Sequence, residues 1–166
     1  MSEVETWKSI YSFPDYSVSN HGRVLKETTG RILSVCTNTH GIRYVGMTRG
    51  KRQYRRALGL LVASHYLDIP EEPYDTPTHM NGDRADCRAV NLMWRPRWFT
   101  NKYHAQFSGQ EPMSFSVPVV CEETGEVFVN SMAAAVKYGV LDRAIRVAYL
   151  NRQPVWPTSF HIRPLN

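Results

Sequence analysis

The chain has 166 residues, of which 42% are hydrophobic and 21% are charged. This length suits one ordinary domain or a few small modules, and the composition excludes an intrinsically disordered chain. The 20 Lys and Arg residues outnumber the 15 Asp and Glu residues and give a formal net charge of +5. A basic balance of this size mildly favours a polyanionic partner.

Cysteine spacing and hydropathy exclude further classes of protein. Cys36, Cys87 and Cys121 are scattered and lack the CxxC pairs of structural zinc sites. Their odd number also disfavours a disulfide framework. No apolar run reaches the length that crosses a bilayer, and the polar, acidic start lacks the features of a signal peptide. We therefore expect a cytoplasmic protein that does not interact with membranes.

Residues 1–52 show the pattern of short strands joined by turns. Brief apolar clusters, such as Val24-Leu25 and Ile32-Leu33, are separated by the turn signals Asn20-His21-Gly22 and His40-Gly41. This pattern predicts a small β-rich module.

The sequence of residues 53–107 predicts a helix, then two short strands, then a second helix. A helix is expected over residues 55–67, because Leu58, Leu61 and Val62 recur at three- and four-residue steps. The next segment has too many turn residues for a long helix, and it predicts two short strands around a loop at residues 81–90. A second helix is expected around residues 99–107, after Pro96.

Residues 108–118 predict a linker, because glycine, proline and serine disfavour a packed element. Beyond it, residues 119–166 are expected to form a separate small unit. Alternating residues in 117–121 and 126–129 predict a β-hairpin around Thr124-Gly125.

Two helices are expected to follow the hairpin. Ser131 is the predicted N-cap of the first helix, which closes at Gly139, and the second helix spans residues 141–150. This outline is typical of a helix-turn-helix. Arg143 and Arg146 lie on one side of the second helix, where they would contact DNA; alternatively, Arg146 pairs with Asp142 across one turn. The predicted core of this unit is Val119, Phe128, Ala134, Val140, Ile145 and Leu150.

The segment Thr78–Arg84 and the following Asn91-Leu92-Met93-Trp94 carry the candidate chemistry. A histidine whose pKa is near neutrality can take a proton from a water molecule that attacks a phosphodiester. An asparagine amide can fix the ring orientation, and a hard cation with oxygen ligands can stabilise the leaving oxygen. His79 and Asn91 supply the first two residue types. A purely structural His79, hydrogen-bonded to Asn91, remains the alternative.

Three blocks of sequence, in this order, resemble one family, the HNH homing endonucleases of phage and organelle genomes. The first block resembles the DNA-binding motif that precedes the nuclease, the second resembles the ββα-metal nuclease module, and the third resembles an appended DNA-binding repeat. The blocks are Trp7–Ile10 with Phe13–Tyr16, Val18–Asn20 and Gly22–Val24; Leu60–Ala63 with His79, Gly82-Asp83, Asn91-Leu92 and Trp94; and Val119-Val120 with Thr124–Phe128, Ala133–Ala135 and Gly139-Val140.

The resemblance implies roles for individual residues. It makes His79 the general base and Asn91 the residue that orients it, beside one divalent metal ion, Mg²⁺ or Mn²⁺. One metal ligand is expected at Thr78, where the family has an acid. The other is expected about nine residues past Asn91, where Thr100 stands; Asn101, one residue further, is chemically plausible.

Departures from the family pattern predict weakened hydrolysis. Thr78 offers a neutral hydroxyl where Mg²⁺ prefers a carboxylate. Gly59 and Cys87 stand where the family commonly has His and Asn. Asp75, Asp83 and Asp86 are nearby carboxylates outside the expected position.

Double-stranded DNA is the partner that the resemblance implies. Two alternatives are an inactive DNA-binding regulator and a protein-interaction factor that kept the scaffold. The predicted DNA-binding residues are Arg49, Lys51, Arg52, Arg55, Arg56, Arg95, Arg97, Lys102, Arg143 and Arg146.

Overall fold

The computed structural model describes residues 4–69, 71–110 and 112–165 of the chain. Helices and short antiparallel strands occupy separate segments, which confirms the predicted α+β class. The chain forms two compact units, Met1–Thr100 and Asn101–Asn166. Each unit has a hydrophobic core of its own.

The first unit begins with short strands, as predicted. They are β1 (Trp7–Ile10), β2 (Phe13–Ser19), β3 (Val24–Lys26), β4 (Arg31–Ile32), β5 (Val35–Thr37), β6 (Arg43–Arg49) and β7 (Arg52–Ala57). Strands β1 to β4 form one antiparallel sheet, and β5 to β7 form another. The helix α1 (Leu58–Tyr66) follows directly.

The core of the first unit draws on both of its predicted modules. Tyr16 and Val18 of β2 belong to the same buried cluster as Leu58 and Val62 of α1. Leu92, beyond the loop, belongs to it as well. The N-terminal strands therefore share a single core with residues 76–100 around His79, which we call the nuclease-like centre.

The predicted start of the first helix is wrong. Helix α1 begins at Leu58, and Arg55 and Arg56 belong to strand β7. This strand pairs with β6 from Arg49↔Arg52 to Tyr44↔Ala57. Pairing satisfies the backbone hydrogen bonds of these residues, and this non-local contact outweighs the local helical pattern.

The strands and helix predicted around His79 are confirmed. They are β8 (Thr76–His79), β9 (Leu92–Arg95) and α2 (Arg97–Ala105). In the antiparallel pair, Thr78 lies opposite Met93 and His79 lies opposite Leu92. Helix α2 begins at Arg97 rather than at residue 99, because Pro96 directly precedes the helix and costs it no hydrogen bond there.

The second unit is a small sheet with two helices. Strand β10 (Val119–Cys121) pairs with β11 (Val127–Phe128), which confirms the hairpin, and also with β12 (Ile162–Pro164). Strand β12 was not predicted, because three residues that include a proline carry no clear alternation. The helices are α3 (Ser131–Tyr138) and α4 (Asp142–Asn151).

The ends of α3 differ in how well they were predicted. The prediction that Ser131 is the N-cap is wrong. The N-cap is Asn130, whose side-chain carbonyl accepts a hydrogen bond from the Ala133 amide. Gly139 ends the helix, as predicted, with a φ of 60°. Glycine adopts this left-handed conformation without the strain that a Cβ would introduce.

The predicted core of the second unit is confirmed except at one position. The prediction that Leu150 belongs to the core is wrong, since 67% of this residue is exposed on α4. No helix within the described ranges is long and apolar enough to span a bilayer. The predicted residues in or against the core are Val119, Phe128, Ala134, Val140 and Ile145.

Candidate functional site

His79 ends strand β8 inside the first unit, where only 9% of it is exposed. Its Nε2 lies 3.7 Å from the Sγ of Cys87. A Cβ placed on Gly59 of α1 would lie 3.4 Å from the same nitrogen. Burial lowers the pKa of His79 to about 4, and the nearby charge of Arg84 lowers it further. The ring is therefore neutral at pH 7 but is a much weaker base than an efficient general base.

Cys87 faces His79 as a neutral thiol. Burial raises the pKa of Cys87 to about 11. The thiolate is the form that binds metals and attacks electrophiles, and it is scarce at pH 7. The contact between Cys87 and His79 is therefore a packed, uncharged pair.

Asn91 holds the loop that follows His79. Its Oδ1 accepts a hydrogen bond from the Asn81 amide at 3.0 Å. Its Nδ2 donates to the Asn81 Oδ1 at 2.9 Å and to the Asp86 carbonyl at 2.8 Å. The Asn91 carbonyl also accepts from the Met80 amide at 2.8 Å. These bonds fix the backbone beside His79, and the orienting role of Asn91 toward the imidazole remains a prediction.

Thr78 and Thr100 meet at the positions where the resemblance places the two metal ligands. Thr78 is fully buried on β8, and Thr100 is 6% exposed on α2. Their hydroxyl oxygens lie 2.5 Å apart, which is a hydrogen bond. The Thr100 hydroxyl is also 3.3 Å from the Pro96 carbonyl.

The nearby carboxylates are engaged in local contacts. Asp86 accepts hydrogen bonds from the Arg88 guanidinium, and this contact is the main reason why its pKa is lowered. Asp83 accepts from the Ala85 amide at 2.8 Å, and Asp75 accepts from the Thr76 hydroxyl at 2.8 Å. The Asp83 and Asp86 bonds stabilise turns of the loop after His79, whereas the Asp75 bond lies at the start of β8.

The residues present do not fit the divalent metal that the resemblance implies. The described part of the chain contains no group of three or more His, Cys, Asp or Glu residues that could hold a metal ion. Thr78 contributes a neutral oxygen that is already hydrogen-bonded to Thr100. Asn101 is exposed on α2, and its role as a ligand remains a prediction.

The basic residues of β7 divide between two faces of the sheet. Successive strand residues point to opposite faces, and residues opposite each other in an antiparallel pair share a face. Arg55 lies opposite Gly46, whereas Arg56 lies opposite the buried Val45. Arg55 therefore projects from the outer face, and Arg56 projects from the face that packs on the core.

The outer face of this sheet carries an ordered group of polar side chains. The Arg55 guanidinium stacks 4.4 Å from the centre of the Tyr44 ring. Gln53 covers Gly46, where a Cβ would lie 2.7 Å from the Gln53 Nε2. These residues, with Cys36, line an open cavity of about 460 Å³. Together they present amide and guanidinium groups to the exterior.

Arg56 is placed differently, although it is also exposed. Its guanidinium lies 5.4 Å from the ring centres of both Phe13 and Tyr54. Arg49 and Arg52 lie opposite each other on the same face, at the end of the sheet, and both are exposed. Lys51 is exposed in the turn between β6 and β7.

Predicted DNA-binding residues around α2 differ in exposure. Arg97 and Lys102 are exposed, whereas Arg95 is partly buried and lies 5.7 Å from the Phe99 ring. Trp98, on the same helix, is 52% exposed.

Helix α4 presents a mixed basic and apolar face. Arg143, Arg146, Val147 and Leu150 recur at three- and four-residue steps and are exposed. Val147 is 51% exposed and Leu150 is 67% exposed. The apolar part of this face was missed by the sequence reasoning, because Leu150 fits the helical repeat of the core equally well.

Asp142 anchors the first turn of α4 and the segment before β10. Its Oδ1 accepts a 2.5 Å hydrogen bond from the Ser131 hydroxyl, and its Oδ2 accepts a 2.7 Å bond from the Ser114 amide. The Phe115 amide donates to the Ser131 Oγ at 2.9 Å. These bonds, and not an ion pair with Arg146, are the described contacts of the Asp142 carboxylate. The predicted linker is thus anchored at Ser114 and Phe115.

Comparison with known proteins gives three matches. The NUMOD4 motif matches residues 5–48. An uncharacterised HNH endonuclease of Acanthamoeba polyphaga mimivirus is 23% identical over 92 residues, which cover 55% of this chain and 23% of that protein. The match therefore spans under a quarter of the relative's length.

A solved structure shares the fold over nearly the whole chain. It is that of the HNH homing endonuclease I-HmuI, described with DNA binding and cleavage, and its TM-score is 0.57 at 18% identity. The similarity covers 96% of this chain and 98% of the other. The NUMOD4 motif, the HNH endonuclease relative and this shared fold together make the chain similar to HNH homing endonucleases in sequence and in fold.

Proposed function

We propose that this chain binds duplex DNA and hydrolyses it weakly or not at all. The observation that carries the proposal is the contrast between exposed arginines and a centre without anionic metal ligands. Arg55 and Arg143 are exposed on ordered elements, whereas Thr78 and Thr100 bond to each other. The NUMOD4 match and the fold shared with an HNH homing endonuclease support DNA as the polyanion.

The outer face of the β5–β7 sheet suits the major groove. This groove admits β-strands, and its base edges are read by arginine and glutamine. Arg pairs in bidentate fashion with guanine, and Gln pairs in the same way with adenine. Arg55 is held by the Tyr44 ring, so less side-chain entropy is lost when it binds.

Helix α4 is the proposed second reading element. In a helix-turn-helix, the second helix enters the major groove, and its exposed side chains contact base edges. Arg143 and Arg146 suit guanine or phosphate, and Val147 suits the methyl group of thymine. The Asp142 bonds hold the start of this helix in place.

Hydrolysis has little support from the residues at the centre. Metal-assisted cleavage needs a cation that stabilises the leaving oxygen, and when bound the metal supplies that charge. His79 can accept a proton, but a pKa of about 4 makes it a weak base. The Thr78–Thr100 bond therefore favours a chain that binds DNA without cutting it.

The test combines plasmid cleavage with duplex binding. Purified chain is incubated with supercoiled plasmid in Mg²⁺, Mn²⁺ or EDTA, beside His79→Ala and Thr78→Asp. Little or no nicking is expected from the wild type. Efficient nicking that His79→Ala abolishes would show that the missing acid matters less than proposed.

The binding half is measured by fluorescence anisotropy over a range of salt. A protein that neutralises phosphates loses affinity steeply as salt rises, because condensed counterions are released on binding. Absence of duplex affinity at low salt would contradict the proposal and would return a protein-interaction role to consideration.

A further inference from the structure

The Thr78–Thr100 contact uses both hydroxyl hydrogens within the protein. A hydroxyl donates one hydrogen bond and can accept two. If Thr78 donates to Thr100 at 2.5 Å, then Thr100 donates to the Pro96 carbonyl at 3.3 Å. If Thr100 instead donates to Thr78, then the Thr78 hydroxyl donates to the Thr76 carbonyl at 3.5 Å, which is the poorer bond.

The same distance is incompatible with two ligands of one magnesium ion. Mg²⁺ demands near-octahedral geometry with oxygens at about 2.0–2.1 Å, so adjacent ligand oxygens are about 2.9 Å apart. The two threonine oxygens are 2.5 Å apart and neutral. Binding both to one cation would require them to separate and would break a buried hydrogen bond.

The contact joins two elements that are distant in sequence. Thr78 lies on β8 and Thr100 lies in the first half of α2, 22 residues later. The amide of Thr100 also donates to the Pro96 carbonyl, so the contact fixes the turn at which α2 begins. Arg97 is exposed in that same turn.

We propose that Thr78 and Thr100 form a threonine latch that takes the place of the metal centre. The latch holds the start of α2 on strand β8 without an ion. Binding of duplex DNA is therefore independent of divalent cations, and this part of the inference rests on the proposed function. The nuclease-like centre acts as a metal-free scaffold that positions the start of α2.

The first experiment is a double-mutant cycle on the full chain, followed by thermal unfolding in EDTA. Thr78→Val and Thr100→Val each remove one hydroxyl, keep the side-chain shape and leave the other hydroxyl buried with a weaker partner. Each single change is expected to lower the Tm by about 4–8 °C. The double variant is expected to lose less than the sum, because no buried hydroxyl is left behind.

Thr76→Val is the matched control, because its hydroxyl bonds to Asp75 at the surface of the same strand. Its Tm should stay close to that of the wild type. Additive losses from the two latch positions, or losses no larger than that of the control, would overturn the latch.

The second experiment measures the response to Mg²⁺ and Mn²⁺. A ligand that binds only the folded chain raises the Tm, so an unchanged wild-type Tm in either metal is expected. Thr78→Asp combined with Thr100→Asn introduces a carboxylate and an amide at the ligand positions. This variant is expected to have a lowered Tm in EDTA that Mn²⁺ raises. A wild-type Tm that rises with either metal, and a rise that the double valine variant abolishes, would overturn the proposal.

The third experiment separates the latch from the proposed function. Duplex affinity of the wild type is compared in EDTA and in Mg²⁺ at matched ionic strength, and equal affinities are expected. Affinity that requires the metal would overturn the latch as a metal-free device. Loss of binding in both buffers, with the valine cycle still non-additive, would refute the DNA-binding function and leave the latch intact.

Discussion

The nuclease-like centre and helix α4 use their polar side chains in opposite ways. At the centre, Thr78, His79 and Cys87 are buried and neutral, and His79 faces Cys87. On α4, the one buried acid anchors the helix, and the arginines are exposed. In the proposed function, hydrolysis would depend on the buried set and DNA binding on the exposed set. One can therefore weaken without loss of the other.

The largest effect is expected at helix α4, the proposed reading element. Arg143→Ala should relax sequence preference by about 1–3 kcal/mol at one base pair, because a bidentate contact with a base would be lost. Non-specific affinity should change far less. Binding of the full chain to a selected site and to each single base-pair variant checks this.

A suitable control for Arg143 is Lys137→Ala on α3, where the ammonium lies 4.0 Å from the Glu126 carboxylate. It should leave preference unchanged. Equal preference profiles for wild type and Arg143→Ala would mean that α4 does not read bases.

A smaller effect is expected from the two faces of β7. Replacing Arg55 by Gln should flatten the salt slope by about 0.9 for one lost contact and weaken binding about fourfold at 0.2 M salt. Arg56→Gln is the matched comparison, since its guanidinium packs on Phe13 and Tyr54. It should alter the slope little. A slope that responds to Arg56 as strongly as to Arg55 would assign the core-side face to DNA.

The last prediction concerns the dependence of folding stability on pH. Burial lowers the pKa of His79 from 6.5 to about 4 in the folded chain, so the unfolded chain binds more protons between these values. The contribution of His79 to stability is therefore full above pH 6.5 and is lost as pH falls toward 4. We expect a loss of about 3 kcal/mol over this range.

Comparing wild type with His79→Gln by urea unfolding at several pH values isolates this contribution, because Gln does not titrate. The difference in stability between the two chains should shrink or reverse as the pH falls. A difference that is independent of pH would mean that the imidazole is better hydrated than its burial suggests.

Sequence reasoning succeeded where the determining signal is local. The spacing of Leu58 and Val62 placed α1, and the turn residues between Thr78 and Asn91 placed the β8–β9 pair. Sequence reasoning failed where pairing between strands determines the secondary structure. Arg55 and Arg56 look helical by local pattern, and only their register with β6 makes them a strand with two faces.

The chemistry of the centre was also only partly predictable. Spacing identified Thr78 and Thr100 as the ligand positions of a resembling family, but not their direct hydrogen bond. The burial that lowers the pKa of His79 depends on the close approach of Gly59 in α1 and of Cys87 in the loop, which no local pattern reveals. Asp142 looked like an exposed partner for Arg146, yet it is 7% exposed and bonded to serine.

The turn between β6 and β7 has a consequence for how mutations alter this protein. Residues Gly50 and Lys51 separate the paired Arg49 and Arg52, and Gly50 has a φ of 60°. Side-chain direction in a strand has a period of two, so a one-residue deletion or insertion here would exchange the faces of β7. Gln53 and Arg55 would turn toward the core, without any substitution within the strand. The number of residues in this turn thus determines which side chains of β7 face outward. Insertion or deletion of a single codon there would change the side chains that this surface presents.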